Sequence, residues 1–321
     1  MLKKILPFLV LIFLAGVTAY ADEDDLNALD YLPEDNFTSG WEATGNEMLL
    51  HPEETVYILD DAAFLAMEFD LVWYATETYS NFVDELTIEI FEFPTTGDAY
   101  GFYSLSPVPY IEPDQETGIV VEPYGLPPAP KIDTIRVVEN EFLEGYKDRF
   151  YFRVHQEEVP DSLLQVGLHM LANLPGYATP SEMIGILPAN ERVMGSERYI
   201  RGMVGLDLLM QWHGEDYLGF EEYDVRAVGA EYRLGSGEYY LYVMAEYEDT
   251  ETAEGALLDL VEYFEYWNWD TVILPPMDSG PHPRGYSNEK FAAFWQNDNF
   301  IHLVWDVTDV SHLRTAVGQH D

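Results

Sequence analysis

The chain has no cysteine and few cations: 15 lysines and arginines stand against 59 aspartates and glutamates in 321 residues, a formal charge of −44 at pH 7. The first absence removes disulfides, thiolate nucleophiles, iron–sulfur clusters and zinc–thiolate sites together, so burial alone has to stabilise the fold. It also excludes a thiol-linked lipid anchor. The second excludes nucleic acid and anionic membrane surfaces as partners, because both are bound through basic patches. No GxSxG elbow, HExxH helix, GxxxxGK(S/T) phosphate loop, GxGxxG turn or EF-hand loop occurs. That argues against the commonest hydrolase, metalloprotease, nucleotide-binding and calcium-binding chemistries. Eight histidines form no close pair at ligand spacing. His302 alternates within an apolar strand and reads as a core or edge residue rather than a metal ligand.

What is present begins with MLKKILPFLVLIFLAGVTAYADEDD: two lysines, an apolar run from Ile5 to about Val17, then Ala19-Tyr20-Ala21. This reads as a secretory signal over residues 1–21, too short for a spanning helix and interrupted by Pro7. The chain is therefore expected to be exported, periplasmic or extracellular, soluble and not a lipoprotein. Removal of Lys3 and Lys4 would leave 13 basic against 59 acidic residues, a charge of −46. An acidic segment, 22–31, follows. The acids beyond it are dispersed along the chain, which describes a solvated surface rather than a binding tail.

Punctuation then recurs. LPEDNFTSG at 32–40 returns as LPANERVMG at 187–195, and DAYGFYSL at 98–105 is matched by TAEGALLDLVEYF at 252–264. Each match follows a strand pair, Leu71 to Tyr79 with Glu85 to Phe93, and Val225 to Leu234 with Glu238 to Tyr247, the latter around a Gly-Ser-Gly turn. Asp98 and Thr252 are the expected N-caps. Ala256, Leu257, Leu260, Val261 and Phe264 recur at helical spacing. A glycine in each first turn, Gly101 and Gly255, costs about 1 kcal/mol against alanine and implies close packing. Each half continues through a Pro-rich stretch, 107–130 and 275–285, into a second strand pair and a closing helix, 161–174 and 311–318. Offsets near 150 to 155 at every landmark describe a tandem repeat: 32–175, a linker 176–186, and 187–321.

The runs LPEDNFTSGW, YILDDAAFLAMEF at 57–69 and IEIFEFPTTGDAYGFYS together resemble a family of exported bacterial proteins known only as a domain of unknown function. Gly40-Trp41 and Ala99-Tyr100-Gly101 match its Gly-Trp entry and Ala-Tyr-Gly motif; Asp61 stands where the family has Gly. The resemblance extends over GSERY at 195–199 and the second strand–helix unit. It implies export and fold, with Gly40, Trp41, Asp60, Ala99, Tyr100 and Gly101 in structural roles, and names no activity.

Asp60 and Asp61 point about 100° apart on a helix, so they serve its N-terminal dipole better than acid–base work. No cofactor is expected, although so many carboxylates imply weak divalent-cation binding somewhere on the surface. Among 23 Tyr, 17 Phe and 7 Trp, most belong in strands, while those in the long connections suggest a ligand surface. That surface would comprise Tyr110, Tyr124, Trp267, Trp269, His282 and Arg284.

The resulting expectation is an α+β protein of two tandem, similar domains, each an antiparallel sheet with helices on one face. Its function is expected to be non-catalytic binding or interaction. The alternative is a carboxylate-based hydrolase or isomerase with its site between the domains. The charge makes one prediction. Melting temperature should rise from low to molar salt, the early part reflecting screening within ~10 Å at 0.1 M. A flat response in a thermal melt series would show that self-repulsion is negligible.

Overall fold

The computed structural model describes residues 27–38, 40–59, 61–106, 134–138, 142–156, 161–210, 216, 218–274, 283–288 and 290–320. The signal segment, Asp60, Tyr110, Tyr124 and His282 lie outside these. Seven antiparallel strands form a first sheet: β1 (Glu42–Ala43), β2 (Met48–Leu50), β3 (Trp73–Ser80), β4 (Glu85–Glu92), β5 (Thr134–Val138), β6 (Phe142–Lys147) and β7 (Phe150–His155). Their order is β1-β3-β4-β7-β6-β5, with β2 also on β3. A second antiparallel sheet contains β8 (Arg198–Ile200), β9 (Arg226–Arg233), β10 (Tyr239–Glu246), β11 (Asp270–Val272), β12 (Arg284–Ser287), β13 (Phe291–Asn297) and β14 (Phe300–Val307). Its order is β11-β12-β13-β14-β10-β9-β8. The helices are α1 (Pro52–Thr55), α2 (Asp61–Glu68), α3 (Thr96–Leu105), α4 (Asp161–Asn173), α5 (Met203–Met210), α6 (Phe220–Tyr223), α7 (Thr250–Tyr266) and α8 (Val310–Gly318). The class is α+β with two antiparallel sheets.

Three expectations need correction. The run read as one strand through IRVVENEF is two, β5 and β6, so three strands rather than two follow α3; β12 likewise precedes β13 and β14. The N-caps are Thr95 and Asp249, three residues earlier than expected, and their side chains accept from the Asp98 and Thr252 amides. Finally, helices cover both faces of each sheet. In β4, Leu86, Ile88 and Ile90 join Leu163, Val166 and Met170 of α4 in one core, whereas Phe91 meets Phe102 of α3 on the other side, 5.1 Å between ring centroids. In the second sheet Phe294 packs on Phe264 of α7 at 5.2 Å. Tyr242, facing the opposite way, stacks on His320 just beyond α8 at 3.6 Å. The physical reason is alternation: these strands are apolar at both odd and even positions, so both faces must be buried.

The Leu-Pro punctuation has a structural purpose. A short 3-10 turn precedes each copy, Ala28–Tyr31 and Glu182–Ile186. The Tyr79 hydroxyl donates to the Pro33 carbonyl at 2.8 Å, and the Tyr232 hydroxyl to the Pro188 carbonyl at 2.7 Å. Each buried tyrosine of a first long strand thus satisfies its polar tip on the chain that closes over it. Asn36 and Glu191 take left-handed φ of 60° and 59°, and Gly40 and Gly195 both take 88°.

Helix α3 is the centre of the molecule. Every residue from Asp98 to Leu105 is buried. One side lies on the first sheet, where Phe102 meets Tyr151 at 4.8 Å. The other meets β8 of the second, where the Tyr199 amide donates to Ser104 Oγ at 3.3 Å. A side chain at Gly101 would collide with Phe69 of the α2 turn and Tyr199. At Gly255 the nearest neighbour, the Tyr223 hydroxyl, is 4.0 Å away, so close packing explains only the first glycine. Gly101→Ala should therefore destabilise by about 1–3 kcal/mol, as overpacking does, and Gly255→Ala should stabilise by up to about 1 kcal/mol. Urea denaturation of the two variants checks this; equal effects would contradict the packing described.

Candidate functional site

Strands β4, β7 and β6 are neighbours, and on the α3 side one step of their ladders reads Glu89, Arg153, Glu144. Arg153 Nε lies 3.2 Å from Glu89 Oε2, and its guanidinium sits over the rings of Phe91 and Phe142 at 5.4 and 5.6 Å. Glu89 also accepts from the Tyr74 hydroxyl and meets His155 Nε2, both at 2.6 Å. Glu144 accepts from Tyr151 at 2.5 Å and Ser106 at 2.7 Å. Burial by itself pushes the Glu89 carboxyl up, but the charges and hydrogen bonds of Arg153, His155 and Tyr74 outweigh it and hold the group at about 2. It is a fixed anion rather than a proton donor.

Beside Glu89 opens a cavity of about 510 Å³. Tyr74, Thr76, Thr78 and Thr87 form its floor, and Asn46, Glu47, Met48 and Ile58 its rim. The second sheet closes the same place. There the ladder step reads Val243, Leu303, Phe294, each at most 1 % exposed. Phe264 of α7 lies over Phe294, and Leu209 of α5 presses on Gly229, which pairs with Val243 as Thr76 pairs with Glu89. Helix α3 ends at Leu105, and Ser106 turns its hydroxyl to Glu144.

A second cavity, about 560 Å³, lies between the sheets. Arg201 crosses it, 2.9 Å from Asp70 and 3.0 Å from Asp98, with Asp224 at 3.8 Å. Arg226 holds Glu246 across the β9–β10 ladder at 2.8 Å. Asp98 and Glu246 line this cavity, and each is taken by an arginine. Asp98 also accepts from Thr95 at 2.6 Å. Among the described residues, no group of three or more histidines or acids is placed to hold a metal ion, and no helix is long and apolar enough to cross a membrane.

Of the expected ligand surface, Trp269 packs on Phe264 and Trp305 at 5.1 and 5.5 Å. The left-handed turn at Asn268 that ends α7 delivers it there. Trp267 is half-exposed at that helix end, and Arg284 is exposed on β12. Neither lines a cavity described above. Gly40 precedes Trp41, which is buried in the core beneath α4, and Ala99, Tyr100 and Gly101 are buried in α3. Sequence reasoning passed over Glu89, Arg153 and Glu144. Their signal was a charge on the core-facing register of three apolar strands, but only the strand order brings them together. Comparison of the chain with family models, with curated proteins and with solved structures finds no match, so the resemblance stated above rests on its own residues.

His302 is a core residue, 7 % exposed, stacked on Trp295 with Nδ1 2.6 Å from the Tyr242 hydroxyl. Burial pushes it down to about 4; burial, then His302, pushes His320 down to about 3. The fold thus favours both neutral imidazoles. Below the ordinary value of about 6.5 the unfolded chain takes up protons that the folded one refuses, so stability falls as pH falls. From pH 6.5 to 4.5 the loss should be roughly 2–3 kcal/mol per histidine. Urea midpoints across that window check it, and His302→Gln should flatten the slope; an unchanged slope would place the acid sensitivity elsewhere.

Proposed function

We propose that the chain is an exported, non-catalytic ligand-binding protein made of two copies of one α+β unit, 32–175 and 187–321, with its ligand site on the charged face of the first sheet. Several features support duplication. The run β3-β4-β7-β6-β5 has the order of β9-β10-β14-β13-β12, the ladders share their register apart from a shift between Phe291 and Ala293 of β13, and both copies carry the Leu-Pro closure on a buried tyrosine. Export rests on the N-terminal sequence and on the resemblance to exported proteins.

One observation carries the binding reading. The unit supports an apolar, closed face in one copy and a charged, open one in the other. Buried ion clusters contribute little stability compared with hydrophobic residues of similar volume, so stability does not account for Glu89, Arg153 and Glu144. A binding site does, because sites are concave and hold a few fixed polar groups. The alternative, acid–base catalysis between the domains, is less well supported, since Asp98 and Glu246 there are already engaged by arginines.

The test transplants one copy into the other: Glu89→Val, Arg153→Leu and Glu144→Phe together, after Val243, Leu303 and Phe294. The triple variant should be as stable as the parent or more so, by up to about 4 kcal/mol. Native mass spectrometry of protein purified from its host should show a small molecule retained by the parent and lost from the variant. Retention by both would refute the assignment, as would lower stability of a variant that still folds.

A further inference from the structure

We infer that the cavity between the sheets is a second binding site, and that its ligand is a zwitterion with both charges on one carbon, a free α-amino acid. This site is separate from the one on the first sheet and does not depend on it.

Tyr199 lines the cavity while only 5 % exposed, its ring lying against Gly101 and 6.0 Å from that of Phe69. Other buried tyrosines satisfy their hydroxyls: Tyr74 on Glu89, Tyr79 on Pro33, Tyr232 on Pro188 and, in the wall of this same cavity, Tyr247 on the Leu218 carbonyl at 2.9 Å. The Tyr199 hydroxyl has no partner among the described residues. Burial pushes it up to about 12, with Arg201 and Arg226 opposing and Asp98 and Asp224 reinforcing the rise. All four line the cavity, so the hydroxyl stands among them, and at neutral pH it is a donor. A buried polar group left unpaired in a cavity wall calls for a partner from within the cavity.

Further donors accompany it. Arg201 Nη1 serves Asp70 and Asp98, while Nη2 stands 3.8 Å from Asp224, beyond a hydrogen bond. Arg226 gives Nη2 to Glu246. Each guanidinium carries more donors than these bonds use, and together with Tyr199 they make a seat for a carboxylate, which accepts several at once. Acceptors lie beside them. Asp224 has only the distant Arg201 contact, Glu248 is exposed, and Asn299, whose amide nitrogen donates to the Tyr247 carbonyl at 2.8 Å, keeps its Oδ1. An ammonium has donors only and suits these groups.

The balance selects a zwitterion. Four carboxylates and two guanidiniums line the cavity, so an anion without a positive charge of its own is repelled. A cation alone leaves Tyr199 and the arginine donors without an acceptor. Because Arg201 and Asp224 are 3.8 Å apart, the ligand's two charges must lie side by side, as they do in an amino acid and not at the two ends of a peptide. The volume of about 560 Å³ leaves room for a side chain, with the half-buried Tyr223 as its wall.

Thermal melts of the full chain with each common amino acid, in ~0.15 M salt to screen the general surface charge, should identify a stabilising one, and calorimetry then measures it. Its N-acetyl derivative, which lacks the ammonium, and its amide, which lacks the carboxylate, should each bind at least about tenfold more weakly. Tyr199→Phe removes only the hydroxyl. It should weaken the amino acid about tenfold, leave the amide unaffected, and keep the melting of the free protein unchanged or higher. Asp224→Asn, which suits the left-handed φ of 47° there, should weaken the amino acid several-fold and leave the N-acetyl derivative unaffected. The triple variant of the first sheet should bind the amino acid as the parent does. Binding of no amino acid would overturn the inference, as would equal binding to the parent and to Tyr199→Phe. Equal binding of the N-acetyl derivative would make the ligand a carboxylate, and equal binding of the amide would make it an amine; either result overturns the zwitterion. Loss of binding in a folded triple variant, with Tyr199→Phe unaffected, would move the ligand to the first sheet, overturning this site and supporting that one.

Discussion

The close approach of helix α3 to β8 is the contact on which the rest of the molecule depends. A ten-residue helix buried from Asp98 to Leu105 cannot belong to one sheet alone. It has the first sheet beneath it and Tyr199 of the second above, and only a glycine at 101 lets the two approach. The polar contacts of the junction follow from that geometry. The Tyr100 hydroxyl reaches the Glu197 carbonyl at 3.3 Å, Arg201 binds Asp98 near the helix start, and Glu68 at the end of α2 accepts the Val204 and Gly205 amides at 2.5 and 2.9 Å. Glu68 thus caps the first turn of α5 from the other half of the chain. Burial raises its carboxyl and the two amides oppose that rise. The halves share an interior rather than a flexible hinge.

A chain with ten arginines and five lysines has to place them with economy. Arg201 joins Asp70 to Asp98 and lies near Asp224, tying corresponding left-handed turns of the two halves, where Asp70 and Asp224 have φ of 55° and 47°. Arg192 holds Glu197 beside the second Leu-Pro closure, and Arg149 holds Glu92 at the end of β4. These are partly exposed pairs, individually worth little. Their value lies in fixing where the chain crosses between elements. Arg153 differs because it is spent within a sheet rather than at a crossing.

Much of this plan was legible in the sequence because it is written in backbone chemistry. Leu32-Pro33 and Leu187-Pro188 mark a real closure, and the Gly-Ser-Gly turn and alternating strands around it appear where expected. What escaped depended on distant partners. Thr95 and Asp249 lie outside the apolar helical pattern, so the pattern pointed to Asp98 and Thr252, which sit one turn inside. Nothing local distinguishes Gly101 from Gly255; one faces another sheet and the other faces open space. The helices' two-sided placement was implicit in strands with apolar residues on both faces, such as Ile90 and Phe91 of β4, but alternation was weighted over that pattern. The face carrying Glu89, Arg153 and Glu144 requires knowing that β7 lies between β4 and β6, a fact no single strand contains.

The difference between the two faces bears on how the fold can carry a buried charged cluster without losing stability. A charged, cavity-forming face in a lone sheet would weaken the only core available, because a void and buried charge both destabilise. Here the opposite face of the first sheet is a complete apolar core under α4, and the second sheet is buried on both sides. The charged face is therefore backed by a core that does not depend on it. The cluster also supports itself: Arg153 rests on Phe91 and Phe142, while Tyr74, Tyr151 and Ser106 turn their hydroxyls to its carboxylates. Charges persist in an interior only where such partners satisfy them, and the hydroxyls and rings around this cluster are those partners.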